Sequence, residues 1–209
     1  LDLVQQQTFK YFWDYGHPVS GLARERNSSG DLVTSGGSGF GAMAIVTGIN
    51  RNFITRAQGL QRMQTMVGFL KNTAQKFHGA FPHWLNGITG NVIAFSAKDD
   101  GADLVETSLL MMGLLTARQY FNGADVAESN LRADITALYN GVEWSWFRKN
   151  NEQVLYWHWS PEYNWEMNFP VKGYNECLIM YVLGASSPTH SIPAEVYHEG
   201  WARNGAIKA

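Results

Sequence analysis

Residues 101–121 read GADLVETSLLMMGLLTARQYF and predict a long helix that is apolar on nearly every side beyond its first turn. A helix of this kind must be enclosed by other elements, because no side of it suits water. Residues 39–49 (GFGAMAIVTGI) and residues 174–185 (YNECLIMYVLGA) have the same character. We therefore predict inner helices at these three positions.

Other segments, at about residues 2–15, 55–77 and 126–147, carry apolar side chains along one side only, as surface helices do. Thr55 is the predicted N-cap of the second of them, and a further helix is predicted to begin near Ile192. The predicted apolar stripes are Val4, Thr8, Tyr11, Phe12 and Tyr15, then Leu60, Met63, Val67, Leu70, Ala74 and Phe77, then Leu131, Ile135, Leu138 and Val142. We interpret the three segments as outer helices.

Outer and inner helices alternate along the chain, and no segment alternates apolar and polar residues over a length sufficient for a sheet. This order is typical of helical hairpins that stack side by side and close into a ring. We therefore predict an all-α fold of the (α/α)6 toroid or barrel class. A closed ring usually needs about six hairpins, so we expect residues 1–209 to form the N-terminal half of one barrel domain, with the C-terminal half as its partner.

The composition argues against several classes of partner. The net charge is −2, with Lys and Arg scattered along the chain, so nucleic acid is not expected. Cys177 is the only cysteine, which excludes an internal disulfide and a thiolate metal cage. No apolar run approaches the roughly 20 residues of a membrane span, and no export signal is evident at Leu1, so we expect a soluble chain or a mature exported one.

Long connections lead into the inner helices, over residues 17–38, 78–100 and 148–173, whereas the connections that leave these helices are short. Long ordered loops in a compact domain usually carry function. Because the inner helices of such a ring all point the same way, we expect the three loops to meet at one mouth.

Acidic residues stand at the predicted starts of two inner helices. Asp103 and Glu106 are three residues apart and share one helix face, and Glu176 holds the matching position in the last inner helix. Acids in a first turn are often only capping residues, and that alternative stays open for each of them. Their joint placement favours glycoside hydrolysis, which needs a carboxyl group that donates a proton and a carboxylate that activates water or attacks carbon.

The same connections are rich in aromatic residues. Flat aromatic faces stack on sugar rings, and neighbouring histidines and asparagines can hydrogen-bond to hydroxyl groups. The aromatic residues are Phe81, Trp84, Tyr156, Trp157, Trp159, Tyr163, Trp165 and Phe169, and the polar ones are His83, His158, Asn86, Asn164 and Asn168. Each tryptophan could instead pin a loop onto the barrel, but the set favours a carbohydrate cleft.

Neither a metal nor a cofactor is predicted. The histidines show no HExxH motif and no paired spacing typical of zinc ligands. The glycines of SGGSGFG (residues 35–41) suggest a phosphate loop, but no Lys-Ser/Thr follows and no strand is predicted before them. We interpret them as close packing at the start of an inner helix.

Several long segments resemble the bacterial glucoamylase-like family, whose characterised members include endo-β-1,2-glucanases. The segments are FKYFWDYGHPVSGLARER (9–26), TSGGSGFGAMA (34–44), FPHWLNGITG (81–90), DDGADLVETSLLMMGLLTARQYF (99–121), LYWHWSPEYNWEMN (155–168) and GYNECLIMYVLGASSPTH (173–190). The resemblance spans essentially the whole chain, and the length of these motifs makes it specific.

This resemblance implies an (α/α)6 barrel of roughly twice this length, a periplasmic or secreted bacterial enzyme, and hydrolysis of a β-glucan, most readily an endo-acting, inverting cleavage of β-1,2-glucan. It implies that Glu176 is the general acid, that Asp103 and Glu106 line substrate subsites, and that the general base lies in the second half of the barrel. The residues that we expect to bind substrate are Trp84, His83, Trp157, His158, Trp159, Trp165, Asn175 and Arg24.

Two other functions remain open at this point. A polysaccharide lyase on the same toroid would use Tyr, His or Arg to abstract a proton and would prefer acidic sugars. A non-catalytic glycan-binding domain would need the tryptophans and not the acids.

Overall fold

The structure, a computed structural model, describes residues 1–206. The α-helices are α1 (Asp2–Trp13), α2 (Ser35–Asn50), α3 (Arg56–Asn72), α4 (Leu104–Tyr120), α5 (Val126–Asn140) and α6 (Leu178–Ser186). The strands are β1 (Leu32–Thr34), β2 (Trp84–Asn86), β3 (Val92–Ile93), β4 (Ala102–Asp103) and β5 (His158–Trp159). Short 3-10 helices span Trp144–Arg148 and Arg203–Gly205, and a π-helix spans Val196–Trp201, where the further helix near Ile192 was expected.

The helices form hairpins with an inner and an outer layer. α2 packs along α4, and α4 packs against α6, while α1 contacts α2 and α3 contacts α5 on the outside. The predicted helical fold class and the assignment of α2 and α4 as inner helices are confirmed. Both carry small or apolar residues around their circumference, and most of these are buried.

Gly39 and Gly113 set the distance between α2 and α4. A Cβ atom on Gly113 would lie 2.0 Å from the carbonyl oxygen of Gly39, and one on Gly39 would lie 2.2 Å from the carbonyl oxygen of Leu109. The two backbones thus meet with no room for a side chain between them. This confirms the interpretation of residues 35–41 as close packing of an inner helix.

The buried side of α1 differs from the predicted stripe. Phe9 is buried, whereas Val4 and Tyr15 are exposed. The ring of Phe9 lies over Gly48 of α2, where a Cβ atom would come within 2.4 Å of it, and it also contacts the ring of Phe53. The glycine on the partner helix therefore decides which face of α1 is buried.

Hydrogen bonds, one to a distant carbonyl and one within a turn, set two helix ends that the apolar pattern placed elsewhere. α5 ends at Asn140 and not near 147, because the chain turns at Gly141 and the Glu143 amide donates to the carbonyl of His78. α6 begins at Leu178 and not at 174, because the side chain of Asn175 accepts a hydrogen bond from the Cys177 amide in the preceding turn. The predicted N-cap of α3 is confirmed, since Thr55 forms a capping box with Gln58.

Short strands pair in the connections, although no sheet was predicted. β1, β2 and β3 form an antiparallel sheet with Thr34 opposite Trp84, and β4 pairs with β5 with Asp103 opposite His158. Each strand has only two or three residues. An alternating pattern needs about four residues or more to be recognised, which is why sequence periodicity missed them.

One face of α6 stays open to solvent, in contrast to the predicted enclosure. Met180 and Tyr181 are buried, while Leu178 and Val182 are 39% and 49% exposed. α4 and the π-helix cover the other side of α6. Among residues 1–206, no helix combines the length and the apolar character that crossing a membrane requires.

An ion pair between a buried glutamate and a partly exposed arginine joins the two outer helices α3 and α5. Glu128 of α5 accepts hydrogen bonds from Nε and a terminal nitrogen of Arg56 at 2.7 and 2.8 Å, and from the Gly123 amide at 2.7 Å. We expect Glu128→Gln to lower the free energy of unfolding at neutral pH by about 1.5–3 kcal/mol, because charge-assisted hydrogen bonds are lost. Urea unfolding of both proteins measures the difference.

The difference in unfolding free energy between wild type and Glu128→Gln should depend on pH if the charge of Glu128 causes it. The Arg56 hydrogen bonds hold the pKa of the Glu128 carboxyl below its ordinary value of 4.5. Such a carboxyl stabilises the fold above its unfolded-state pKa and loses this contribution as the pH falls through the folded-state pKa. The gap between wild type and variant should therefore narrow below about pH 4.5, and a gap that persists at acidic pH would contradict the assignment.

Candidate active site

The three long connections meet at the starts of the inner helices. The Ser35 amide, at the start of α2, donates to the carbonyl of His83 in the second connection. The Leu104 amide, at the start of α4, donates in the same way to the carbonyl of Trp157 in the third connection. The N-termini of α2 and α4 are thus each hydrogen-bonded to the next long connection, and the predicted common mouth is confirmed for these two helices.

Asp103 lies at the centre of this mouth and is fully buried. As N-cap of α4 it accepts a hydrogen bond from the Glu106 amide through Oδ1 at 2.8 Å. Its other oxygen, Oδ2, accepts from Nε1 of Trp157 at 3.1 Å and lies 3.3 Å from Nδ1 of His83. Asp103 therefore does cap α4, but it uses only Oδ1 for this, and Oδ2 faces Trp157 and His83.

Glu106 reaches from α4 to the N-terminus of α2. Its Oε2 accepts a hydrogen bond from the Gly36 amide at 2.8 Å, in space that a Cβ atom on Gly36 would fill. A helix N-terminus favours an anion, yet burial and the nearby charge of Asp103 raise the pKa of Glu106 above its ordinary value. Glu106 therefore takes up a proton more readily than an ordinary glutamate does.

His83 lies between the acids. Burial lowers its pKa, but the hydrogen bond to Asp103 and the charges of Glu106, Asp103 and Asp99 outweigh burial, so the net pKa is raised. The His83 ring also stacks on Phe95 with 4.4 Å between ring centres. The imidazole therefore joins the buried carboxylates to the aromatic part of the mouth.

Glu176 is exposed in the turn just before α6. Its neighbour Cys177 is buried, and burial together with the charges of Glu176, Asp103 and Glu106 raises the pKa of the thiol to about 12. Of the three predicted acids, Glu176 is therefore the exposed one, next in sequence to a buried thiol.

Asp99 is a buried acid of the mouth that the sequence reasoning did not single out. Its Oδ2 lies 3.2 Å from Nε2 of His158, and the same nitrogen lies 3.8 Å from Oδ2 of Asp103. A short loop holds Asp99 in place, because its amide donates to the Ser96 carbonyl and its carbonyl accepts from the Phe95 amide. The acid-rich run DDGAD (99–103) was the available sequence signal for this residue. Helical periodicity places Asp99 in a loop, and it does not predict which residue the carboxylate contacts.

An aromatic groove opens beside these acids. It has a volume of about 280 Å³. The lining residues are His83, Phe95, Ser96, Asp99, Trp157, His158, Met167 and Phe169. The rings of Trp157 and His158 stack at an interplanar angle of 17°. Of the predicted binding residues, the structure brings His83, Trp157 and His158 to this groove.

Trp84 borders the groove through its contact with Phe95, at 4.7 Å between ring centres. Its Nε1 donates to a carboxylate oxygen of Glu25 at 3.2 Å, which fixes the indole against the first connection. The pairing of Thr34 with Trp84 in the small sheet places it there.

The other predicted binding residues have structural contacts away from the groove. Trp159 and Trp165 both contact Trp146, at 5.3 and 4.8 Å between ring centres, in a separate aromatic cluster under the third connection. Arg24 donates to the carbonyls of Gly30 and Tyr15, and the Asn175 amide nitrogen donates to the carbonyl of Lys172. Loop packing therefore explains these four without a ligand, and their role in binding stays a prediction.

This arrangement can perform acid and base chemistry on a ligand with apolar and hydroxylated faces. The acids differ in character, since Glu106 is half-buried with a raised pKa and Glu176 is exposed. Sugar rings suit the adjoining groove, because aromatic faces and imidazole nitrogens line it together.

Several known proteins are similar to this chain in sequence and in fold. Residues 168–209 match the family model Glycoamylase, described as "Putative glucoamylase". An exo β-1,2-glucooligosaccharide sophorohydrolase (non-reducing end) of Parabacteroides distasonis is 48% identical over 205 residues, which cover 97% of this chain and 28% of that protein.

Two solved structures share the fold over nearly the whole chain. An endo-β-1,2-glucanase from Chitinophaga pinensis, in complex with sophorotriose and glucose, is 57% identical with a TM-score of 0.95, covering 100% of this chain and 51% of that one. A β-1,2-glucanase from Parabacteroides distasonis is 48% identical with a TM-score of 0.92, covering 96% and 29%. The present chain thus spans between about a quarter and half the length of these relatives. In sequence and in fold, the chain is similar to part of these glucoamylase-like and β-1,2-glucan-cleaving proteins.

Proposed function

We propose that the protein hydrolyses β-1,2-glucan and that this chain supplies the acid side of the active site. The observation that carries the proposal is the contact between the acids at the start of α4 and the aromatic groove: Asp103 caps α4 through the Glu106 amide and accepts a hydrogen bond from Trp157, which lines the groove. Relatives that are 48–57% identical act on β-1,2-linked glucose, as their names state. The acids and the adjoining aromatic side chains are chemically suited to such a substrate, which supports the proposal.

Glu176 is the proton donor in this proposal. A proton donor must reach the oxygen of the leaving group, so it has to face the substrate. Glu176 lies exposed at the rim, whereas Asp103 is fully buried and occupied by hydrogen bonds from Trp157 and the Glu106 amide. Asp103 and Glu106 therefore serve as subsite acids, of which Glu106 can present a protonated carboxyl to a hydroxyl group.

The rest of the barrel supplies the general base in this proposal. The exposed face of α6 with Leu178 and Val182 supports it, because such a face is suited to pack against another helix. Inversion of the anomeric carbon and endo action complete the proposed reaction. We further propose that the enzyme works in the periplasm or outside the cell, where polysaccharides are met.

Product analysis tests the reaction class. The full-length protein that carries this chain, incubated with linear β-1,2-glucan, should release β-1,2-linked oligosaccharides without an unsaturated product that absorbs ultraviolet light. Linear β-1,3-glucan is the matched control and should remain intact. An ultraviolet-absorbing product would indicate a lyase instead, and glucan binding by calorimetry without released sugar would indicate a non-catalytic binding domain.

A further inference from the structure

We infer that His83, Asp99 and Asp103 form a binding site for Zn²⁺ or a similar divalent transition metal, in which the metal blocks the mouth. One ligand atom from each of the three side chains lies within 4.8 Å of the others. The residues come from the second connection and from the strand before α4, so sequence spacing alone shows no metal motif. The site goes beyond the proposed hydrolysis, because binding can be measured without activity.

The separations suit a zinc ion. Zinc bonds to histidine nitrogen and carboxylate oxygen of about 2.0–2.2 Å place two tetrahedral ligands about 3.3–3.5 Å apart. Nδ1 of His83 lies 3.3 Å from Oδ2 of Asp103. The ligand atoms of the three residues lie within 4.8 Å of one another, so Asp99 would need to move only slightly toward His83 and Asp103 to bind the same ion.

The charge balance also favours a cation here. Asp99 and Asp103 are buried carboxylates, with exposures of 5% and 0%. Within residues 1–206 the ion-pair partners of both are histidines alone, and neither carboxylate pairs with a lysine or an arginine. Two buried carboxylates without a permanent cation are costly, and a divalent ion would neutralise both.

His158 completes the arrangement as a positioning residue. Its Nε2 lies 3.2 Å from Asp99, where it can hold the carboxylate that turns toward the metal. His83, Asp99 and His158 all line the groove, so the inferred site adjoins it. A bound metal would occupy His83 and Asp103 there and exclude a sugar ring from this part of the groove.

Calorimetric titration of the metal-free, untagged full-length protein with zinc chloride tests the inference. We expect a site of one Zn²⁺ per chain, with an affinity that falls at least about 10-fold in Asp99→Asn and in His83→Gln, and by about 10–100-fold in His158→Gln. His190→Gln is the matched control and should bind as wild type does. Circular dichroism shows whether each variant is folded, and zinc-edge anomalous density in crystals would place the ion.

Cys177→Ser separates the two metal-binding groups of this region. If zinc binding survives in Cys177→Ser and weakens in Asp99→Asn, the site is the one inferred. If binding disappears in Cys177→Ser and persists in folded Asp99→Asn, the thiol binds the metal and the inference is overturned. The inference is equally overturned if wild type binds no stoichiometric zinc. Each outcome is independent of whether the protein cleaves β-1,2-glucan.

Discussion

Glu176→Gln should lower the rate of β-1,2-glucan hydrolysis by the full-length protein by a factor of about 10²–10⁴, the usual contribution of a positioned acid. The amide has nearly the shape of the carboxyl group but cannot donate a proton to the leaving sugar. Since Glu176 is exposed in a turn before α6, the variant should fold as wild type does. Initial rates of reducing-sugar release over a range of pH measure the loss.

The choice of substrate shows whether the loss is catalytic. An aryl glycoside accepted by the enzyme, with a leaving group that departs without protonation, should be affected much less by Glu176→Gln. Glu195→Gln, which removes another exposed carboxylate, is the control and should leave the rate unchanged. Equal rates for wild type and Glu176→Gln would remove Glu176 from the mechanism.

Glu106 is the competing candidate for proton donor, because its pKa is raised by burial and by Asp103. Glu106 would be the proton donor, and Glu176 a subsite acid, if two results were found together. The first is a larger fall in hydrolysis rate for Glu106→Gln than for Glu176→Gln. The second is recovery of the Glu106→Gln rate on a substrate with a good leaving group.

Gly113→Ala should destabilise the fold by about 3 kcal/mol or more, at the upper end of the cost of adding volume to a packed core. The added Cβ atom would lie 2.0 Å from the carbonyl oxygen of Gly39, and that obstacle is backbone of the neighbouring helix. α2 and α4 would have to move apart, which would also separate Glu106 from the Gly36 amide. Thermal and urea unfolding measure the change.

Gly68→Ala is the matched control, since it makes the same change in the outer helix α3. No atom lies within 4 Å of a Cβ atom at this position. Alanine in an exposed helix interior is favoured over glycine by about 0.5–1 kcal/mol, so this variant should be slightly more stable than wild type. Comparable stabilities for the two variants would show that α2 and α4 tolerate a larger separation.

Much of the architecture follows from apolar periodicity. A helix that is apolar all round needs neighbours on every side, and this is why the inner positions of α2 and α4 could be predicted. The cap at Thr55 could be predicted because its hydrogen bonds lie within a few residues of the chain. The helix ends near Asn140 and Leu178 could not, since a distant carbonyl and a local side-chain turn set them.

The site residues also divide into those that the sequence could predict and those that it could not. Asp103, Glu106 and Glu176 could be selected because acids stand out at the starts of apolar helices. The aromatic residues could not be sorted by sequence, since Trp157 and Trp159 are two residues apart. Trp157 meets Asp103 at the groove, and Trp159 packs on Trp146 in another cluster.

The sequence by itself determined the helical class, the alternation of layers and the acids at the mouth, because each depends on side-chain type at a fixed spacing along one segment. Only the tertiary structure decided that Asp99 joins His158, that Glu106 bonds to the Gly36 amide, and that a glycine pair sets how close α2 and α4 lie. The physical reason is that these contacts join residues far apart in the chain, and their strength depends on distances and burial that arise only when the loops and helices come together.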